Sequence, residues 1–298
     1  MGHFILDNPS TAGSDLDGLL QGIAPIANEF NAGSDLDGLL QRWWQDYIAI
    51  TPVVSEVNRL LGEDAALIND HLALRTFNLP ATGLSRLLPL LDALGYSVEG
   101  HYQFVERKLT AVHLEHLDPR QPKIFISQLE VDQLSPLAQQ LIAALVAQLP
   151  ENMFDSPLGL AAGRLWQLSL ADYQLLLAES EYAAWLAAFG FRANHFTLSV
   201  NDLQDFHTLP QFNALLEQHA IALNQQGGVI KGSPAQKLEQ SATLADPVLV
   251  HFSDQPCAIP GCFYEFALRY PQEDGTLFQG FVESSATSIF SSTDTRQH

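Results

Sequence analysis

Residues 70–77 read Asp-His-Leu-Ala-Leu-Arg-Thr-Phe, and this stretch decides the fold because it joins a strand pattern to a metal-binding side chain. In a β-strand, the side chains on one face recur at every second residue. His71 and Arg75 therefore share one face, whereas Leu72 and Leu74 occupy the other. The pattern predicts a strand with one apolar face for the core and one face that carries chemistry.

Two further segments have the same design. Residues 194–200 read Asn-His-Phe-Thr-Leu-Ser-Val, and residues 262–270 read Cys-Phe-Tyr-Glu-Phe-Ala-Leu-Arg-Tyr. Each places one good metal ligand, His195 or Glu265, on the more polar face of a hydrophobic strand. Together with His71 they supply the two imidazoles and one carboxylate of a facial site, which holds three positions of an octahedral Fe(II) and leaves the others open.

The order of predicted elements repeats around these strands. A His-bearing strand, a helix and several strands occur at about 69–130 and again at about 193–295, with a helical insertion at about 134–190. This order predicts an α+β fold of two βαβββ modules within a single catalytic domain at 32–298. The second module is expected to contain, after its first strand, strands near 228–232, 247–253 and 262–270.

The start of the chain contains a duplication. Residues 12–21 and 32–41 both read Ala-Gly-Ser-Asp-Leu-Asp-Gly-Leu-Leu-Gln. Nothing later in the chain continues this period, as a repeat architecture requires. A local duplication or a cloning artefact is therefore favoured over an architectural repeat, and residues 1–31 are expected to form a helical or flexible leader.

The composition of the chain limits the kinds of partner that it is expected to bind. The chain of 298 residues has 34 acidic residues against 14 Lys and Arg, a net charge of -20, which argues against nucleic acid and anionic membranes as partners. No apolar run approaches the roughly 20 residues that span a bilayer, and the first residues lack a secretory signature. With only two cysteines, we expect a reduced, cytoplasmic protein.

In so acidic a chain, an anionic substrate needs local positive groups. Arg75 and Arg269 lie on the ligand-bearing faces of their strands and are candidates to bind a substrate carboxylate, and Ser241 and His251 are candidate pocket residues near the last strands. An ion pair with one of these arginines is also the alternative to metal binding for Glu265, because a buried carboxylate is costly without a partner.

Four segments resemble the 2-oxoadipate dioxygenase/decarboxylase family, and the likeness extends over about residues 42–295. This family belongs to the vicinal-oxygen-chelate superfamily, whose paired βαβββ modules form a curved sheet around one metal. The resemblance is in agreement with the twofold strand pattern. Its segments are Asn-Asp-His-Leu-Ala-Leu-Arg-Thr-Phe at 69–77, Asn-His-Phe-Thr at 194–197, Gln-Ser-Ala-Thr-Leu-Ala-Asp at 240–246 and Phe-Tyr-Glu-Phe-Ala-Leu-Arg at 263–269.

The resemblance implies a cofactor, a reaction and roles for individual residues. It implies Fe(II) bound by His71, His195 and Glu265, and a substrate carboxylate bound by Arg75. The implied reaction converts 2-oxoadipate and O2 to 2-hydroxyglutarate and CO2, a step of lysine catabolism.

Two other functions stay open at this level: a different metal-dependent enzyme on the same scaffold, such as an isomerase, lyase or ring-cleaving dioxygenase, and a non-catalytic small-molecule binding protein. The oligomeric state is left open. His113 and Glu115 share a strand face that we expect to be solvated, and Lys231 is expected to be an ordinary exposed lysine, although it could meet an anion.

Overall fold

The computed structural model describes residues 36–62 and 67–293. The predicted leader at 1–31 and the first copy of the decamer lie outside the described residues. None of the described helices is long and apolar enough to cross a membrane. The helices are α1 Leu36–Ala49, α2 Pro52–Leu61, α3 Leu84–Asp92, α4 Pro136–Val146, α5 Leu170–Glu179, α6 Glu181–Phe189, α7 Leu209–Gln218 and α8 Glu283–Ile289.

Eight strands form one sheet, which is strongly curled into a half-barrel, in the order β2-β3-β4-β1-β5-β10-β7-β6. Two more strands, β8 and β9, form a separate hairpin. The strands are β1 Asn69–Phe77, β2 Tyr96–Phe104, β3 Leu109–His116, β4 Lys123–Leu129, β5 Ala193–Ser199, β6 Lys231–Ser233, β7 Leu238–Ala242, β8 Pro247–His251, β9 Pro256–Pro260 and β10 Phe263–Arg269.

The two halves of the sheet have the same connectivity. In module one, β1 pairs in parallel with β4 after a crossover through α3, and in module two, β5 pairs in parallel with β10 after a crossover that includes α7. The halves join where β1 pairs antiparallel with β5. The predicted pair of βαβββ modules in a curved sheet is therefore confirmed.

The apolar face of the central strands packs against helix α1. The rings of Trp44 and Tyr47 each lie with their centroids 5.0 Å from that of Phe196, which follows His195 on β5. The Tyr47 hydroxyl also donates a hydrogen bond of 2.6 Å to the carbonyl of Phe263. This packing covers the apolar face of the central strands, and His195 lies on the opposite face.

The prediction for the strand near 247–253 is wrong in one respect: this segment does not join the sheet of module two. It forms β8, which pairs only with β9 among the described residues. Proline occupies both ends of β9 and the start of β8. Because proline lacks the N–H that a sheet ladder requires, these strands are poor candidates for a central position.

Candidate metal centre

Strand register brings the three predicted ligands together. On the shared face, Thr197 of β5 lies opposite His71 on one side and opposite Glu265 on the other. His195 lies two residues before Thr197 and points to the same side of β5. His71 and Glu265 thus come from the two strands that flank β5, in one row with Thr197, and His195 comes from β5 itself in the next row.

The ligand atoms form a compact and buried cluster. The Nε2 atom of His71 lies 3.4 Å from Oε1 of Glu265, and Nε2 of His195 lies 3.2 Å from Oε2. One ligand atom from each residue lies within 4.8 Å of the others. Two imidazole nitrogens and a carboxylate oxygen that converge in this way are a donor set for a divalent transition metal.

Neighbouring side chains orient both imidazoles. Oδ1 of Asp70 lies 2.7 Å from Nδ1 of His71, and Oδ1 of Asn194 lies 3.2 Å from Nδ1 of His195. When these oxygens accept a hydrogen bond from Nδ1–H, the lone pair of each ring is on Nε2, which faces the centre of the cluster. Neither Asp70 nor Asn194 was assignable from the sequence, because strict alternation would place each on the face opposite its neighbouring histidine.

The protonation states of the two imidazoles differ. Burial lowers the pKa of His71, but Glu265 and Asp70 outweigh it and raise this pKa overall, so a metal would compete with a proton on that ring. Burial lowers the pKa of His195 to about 3, with Glu265 opposing this only in part, so the ring is neutral at physiological pH. Burial opposes ionisation of Glu265 as well, but the charge of His71 and the hydrogen bonds from His71 and Gln240 outweigh it and lower its pKa. A neutral imidazole and an ionised carboxylate are the forms that bind metals.

Gln240 supports the carboxylate. Its Nε2 donates a 2.5 Å hydrogen bond to Oε1 of Glu265 from the neighbouring strand β7, where it lies opposite Ala267. The resemblance included Gln240 in a matched segment, but only the register of β7 against β10 reveals that it faces Glu265.

Arg269, which the sequence predicted as a substrate contact, is engaged within the protein in this structure. Its Nε and Nη2 donate to the two carboxylate oxygens of Asp70 at 2.6 and 2.9 Å. Its Nη1 donates to the carbonyls of Phe278 and Gly280. The guanidinium is thus engaged within the protein, where it holds the carboxylate that orients His71.

Arg75 is buried at the end of β1, against helix α6. Its Nη1 lies 3.2 Å from Oε1 of Glu181, its Nη2 donates to Thr293 at 3.1 Å, and its Nε is buried without a hydrogen-bond partner among the described residues. The rings of Tyr182 and Trp185 both lie 4.8 Å from the guanidinium carbon. Sequence reasoning found this arginine but not the aromatic pocket around it.

The structure also corrects the other two predicted pocket residues. Ser241 lies opposite Phe266, on the face that packs against helix α7, and donates a 2.8 Å hydrogen bond to Asn213. His251 is exposed at the end of β8 in the separate hairpin. Neither residue therefore lies on the face that carries the metal ligands.

His113 is not on a solvated face as expected. It is buried, with Nδ1 2.8 Å from the hydroxyl of Tyr102 and Nε2 3.3 Å from Glu115. The ring of Phe281 lies against it at a centroid distance of 5.2 Å, and against His71 at 4.8 Å. The segment after β10 thus covers this part of module one, which strand alternation alone could not reveal.

Two paired βαβββ modules in one curled sheet, with a buried cluster of two histidines and one carboxylate, have the vicinal-oxygen-chelate type of fold and a candidate metal site. Comparison with family models is more specific. Residues 41–158 and 160–272 match the model described as 2-oxoadipate dioxygenase/decarboxylase, and the chain belongs to this family of enzymes. The resemblance found in the sequence is confirmed.

Individual relatives are similar to this chain over most of its length. A protein of Arabidopsis thaliana named 2-oxoadipate dioxygenase/decarboxylase, chloroplastic, is 33% identical over 83% of this chain and 74% of its own length. The crystal structure of hydroxyglutarate synthase from Oryza sativa in complex with 2-oxoadipate is 30% identical, with a TM-score of 0.80 over 87% of this chain and 92% of that one. A crystal structure from Shewanella frigidimarina, whose description proposes a hydrolase, is 48% identical, with a TM-score of 0.80 over 84% and 98%.

Proposed function

We propose that this chain is an Fe(II)-dependent enzyme that converts 2-oxoadipate and O2 to 2-hydroxyglutarate and CO2. The observation that carries the proposal is the buried cluster of His71, His195 and Glu265. Family membership supports the reaction, and the related rice enzyme was crystallised with 2-oxoadipate. The atoms balance, since the six-carbon acid and O2 supply every atom of the five-carbon hydroxy acid and CO2.

The residues fit iron by their chemistry. Two imidazoles and one carboxylate are the facial donor set of non-haem Fe(II) oxygenases, and they leave positions open for other ligands. When bound, the iron supplies the activation of O2 and of the 2-oxo acid, which no side chain can supply. Asp70 and Gln240 hold the donors in place through His71 and Glu265.

Arg75 is proposed to bind a substrate carboxylate. Its guanidinium has a planar set of donors that matches a carboxylate, and its Nε is buried without a partner. The nearby rings of Tyr182 and Trp185 help to keep Arg75 buried, which strengthens any charge-assisted hydrogen bond made there. Glu181 compensates the arginine charge when no substrate carboxylate is present.

A cytoplasmic location is proposed from the sequence alone. The name of the Arabidopsis relative places that protein in the chloroplast. Fractionation of the native host cell, with detection of the intact chain, tests this point.

Anaerobic reconstitution with Fe(II), followed by measurement of O2 uptake, CO2 release and 2-hydroxyglutarate formation, tests the reaction. Consumption of O2 in step with product is expected with 2-oxoadipate, and its loss is expected in His71→Ala and Glu265→Ala. His251→Ala is the matched control, because this histidine is exposed in the separate hairpin. Iron bound without O2 uptake would overturn the oxygenase and favour a different reaction, such as hydrolysis.

A further inference from the structure

We propose that Lys231 binds the distal carboxylate of the substrate and so gives the enzyme its preference for a dicarboxylic over a monocarboxylic 2-oxo acid. The inference rests on the proposed function and deepens it. It assigns a substrate contact in module two, on the other side of the metal cluster from Arg75.

Register places Lys231 on the ligand-bearing face. It lies opposite Gln240 on β7, and Gln240 lies opposite Ala267 on β10. Side chains that are directly opposite in antiparallel strands point to the same face, so Lys231 shares the face of Glu265. Its strand is two strands away from β10, about 10 Å across the sheet.

The surroundings of the amine are unusual for a lysine. Lys231 is only 3% exposed, and its Nζ donates hydrogen bonds to the carbonyls of Asn224 at 2.6 Å and Val229 at 3.2 Å. An ammonium has three donors, and these two bonds use two of them. Within residues 36–62 and 67–293, no carboxylate lies within 4.0 Å of this amine.

The contrast with the other buried cations points to a missing anion. Among the described residues, Arg75, Lys231 and Arg269 are the buried lysines and arginines. Arg75 pairs with Glu181, and Arg269 pairs with Asp70. A buried charge is costly unless it is paired, and in a chain of net charge -20 an anionic ligand needs such a local cation.

The substrate class has the matching chemistry. A 2-oxo dicarboxylic acid has one carboxylate beside its keto group and a second at the far end of its carbon chain. Lys231 in module two has no carboxylate partner among the described residues, and Arg75 in module one, although paired with Glu181, still has an Nε without a partner there, so each can meet one carboxylate. A monocarboxylic acid of equal length leaves the lysine without its anion.

Steady-state kinetics of Lys231→Met with 2-oxoadipate and 2-oxohexanoate test the assignment. Methionine keeps most of the length and apolar volume but removes the charge. We expect KM for 2-oxoadipate to rise roughly 10- to 100-fold with little change in kcat, as loss of a charge-assisted hydrogen bond predicts. Activity with 2-oxohexanoate should stay within about threefold.

Lys237→Met is the matched control, because this lysine lies close by, in the connection between β6 and β7, and is half-exposed. It should leave both substrates unchanged, and Lys231→Arg should keep the preference for the dicarboxylic acid. Equal losses with both substrates in Lys231→Met, or no loss with either, would overturn the assignment. Iron content and circular dichroism are measured for each variant.

Equilibrium binding separates failure of this inference from failure of the proposed function. Adipate and hexanoate lack the keto group, so their binding to the iron-loaded protein by calorimetry requires no turnover. If the wild type binds adipate more tightly than hexanoate, and Lys231→Met does not, the lysine site is supported even when 2-oxoadipate is not turned over. Equal binding of the two acids by the wild type would overturn it.

A further test uses the wild-type protein alone, so its result does not depend on whether a variant folds. Acylation of Lys231, followed by peptide mass spectrometry, should be slowed by adipate and not by hexanoate, with Lys237 as the internal reference. Equal protection by the two acids, or none by either, would contradict binding of a second carboxylate at this amine.

Discussion

Asp70 links the metal site to the rest of the protein through two charged contacts. Its carboxylate accepts hydrogen bonds from His71 and, in a bidentate arrangement, from Arg269. Burial opposes ionisation of Asp70, but Arg269 and then His71 outweigh this effect and hold its pKa well below the usual range. The ionised carboxylate keeps the proton of His71 on Nδ1 and its lone pair on Nε2.

Asp70→Asn should lower the affinity for Fe(II) roughly 10- to 100-fold, the range seen when an outer-shell partner of a metal-binding histidine is lost. The amide is similar in shape but carries no charge, so Arg269 also loses its ion pair. Anaerobic titration calorimetry measures the change. Asp118→Asn is the control, since that half-exposed carboxylate also pairs with an arginine, Arg120, but lies away from the metal cluster. Equal affinities of Asp70→Asn and wild type would contradict the orienting role.

The two cysteines should differ in reactivity. Burial raises the pKa of Cys262 to about 12, and the thiolate is the reactive form. Cys257 is half-buried on the separate hairpin. At pH 8, a thiol reagent such as dithiobisnitrobenzoate should therefore modify one thiol of the native protein, and both after denaturation in guanidinium. Rapid modification of two thiols in the native state would contradict the burial of Cys262.

At the scale of the strands, alternation was enough to predict which residues of β1, β5 and β10 share a face. The side chains of His71, His195 and Glu265 converge because these three strands are neighbours in the sheet. The predictions of pocket residues were less accurate, because the face on which such a residue lies depends on how strands far apart in the sequence pair. Ser241 shows why, because a shift of one residue in strand register moves a side chain to the other face.

Ser241→Ala tests this correction. The hydroxyl donates to Oδ1 of Asn213 in a fully buried position, so its removal leaves an acceptor unpaired and should cost about 1–3 kcal/mol in the free energy of unfolding. KM for 2-oxoadipate should not change, because Ser241 lies on the face that packs against α7. Urea unfolding and steady-state kinetics measure the two effects.

Ser253→Ala is the control for this pair of measurements, since Ser253 is exposed beside the separate hairpin. It should leave the free energy of unfolding nearly unchanged. A rise in KM for Ser241→Ala, with no loss of stability, would return Ser241 to the substrate site.

At the scale of the whole molecule, the proposed metal site spans the junction of the two modules. His71 comes from module one, whereas His195 and Glu265 come from module two, and the modules join only through the β1–β5 pair within the main sheet. The sequence could predict the two modules from their repeated element order. It could not predict how α6 and the segment after β10 enclose Arg75 and His71, because those contacts join residues far apart in the chain.

A metal that bridges the modules should stabilise the folded chain, because a ligand that binds only the native state adds RT ln(1 + [L]/Kd) to its stability. At a free Fe(II) concentration of 100 times Kd, this amounts to about 2.7 kcal/mol, or several degrees in Tm for a chain of this size. Anaerobic thermal unfolding with Fe(II), and after its removal by a chelator, measures the shift. Glu265→Ala should lose the shift and Glu115→Ala should retain it; an equal shift in both variants would mean that the stabilising metal binds elsewhere than at this junction.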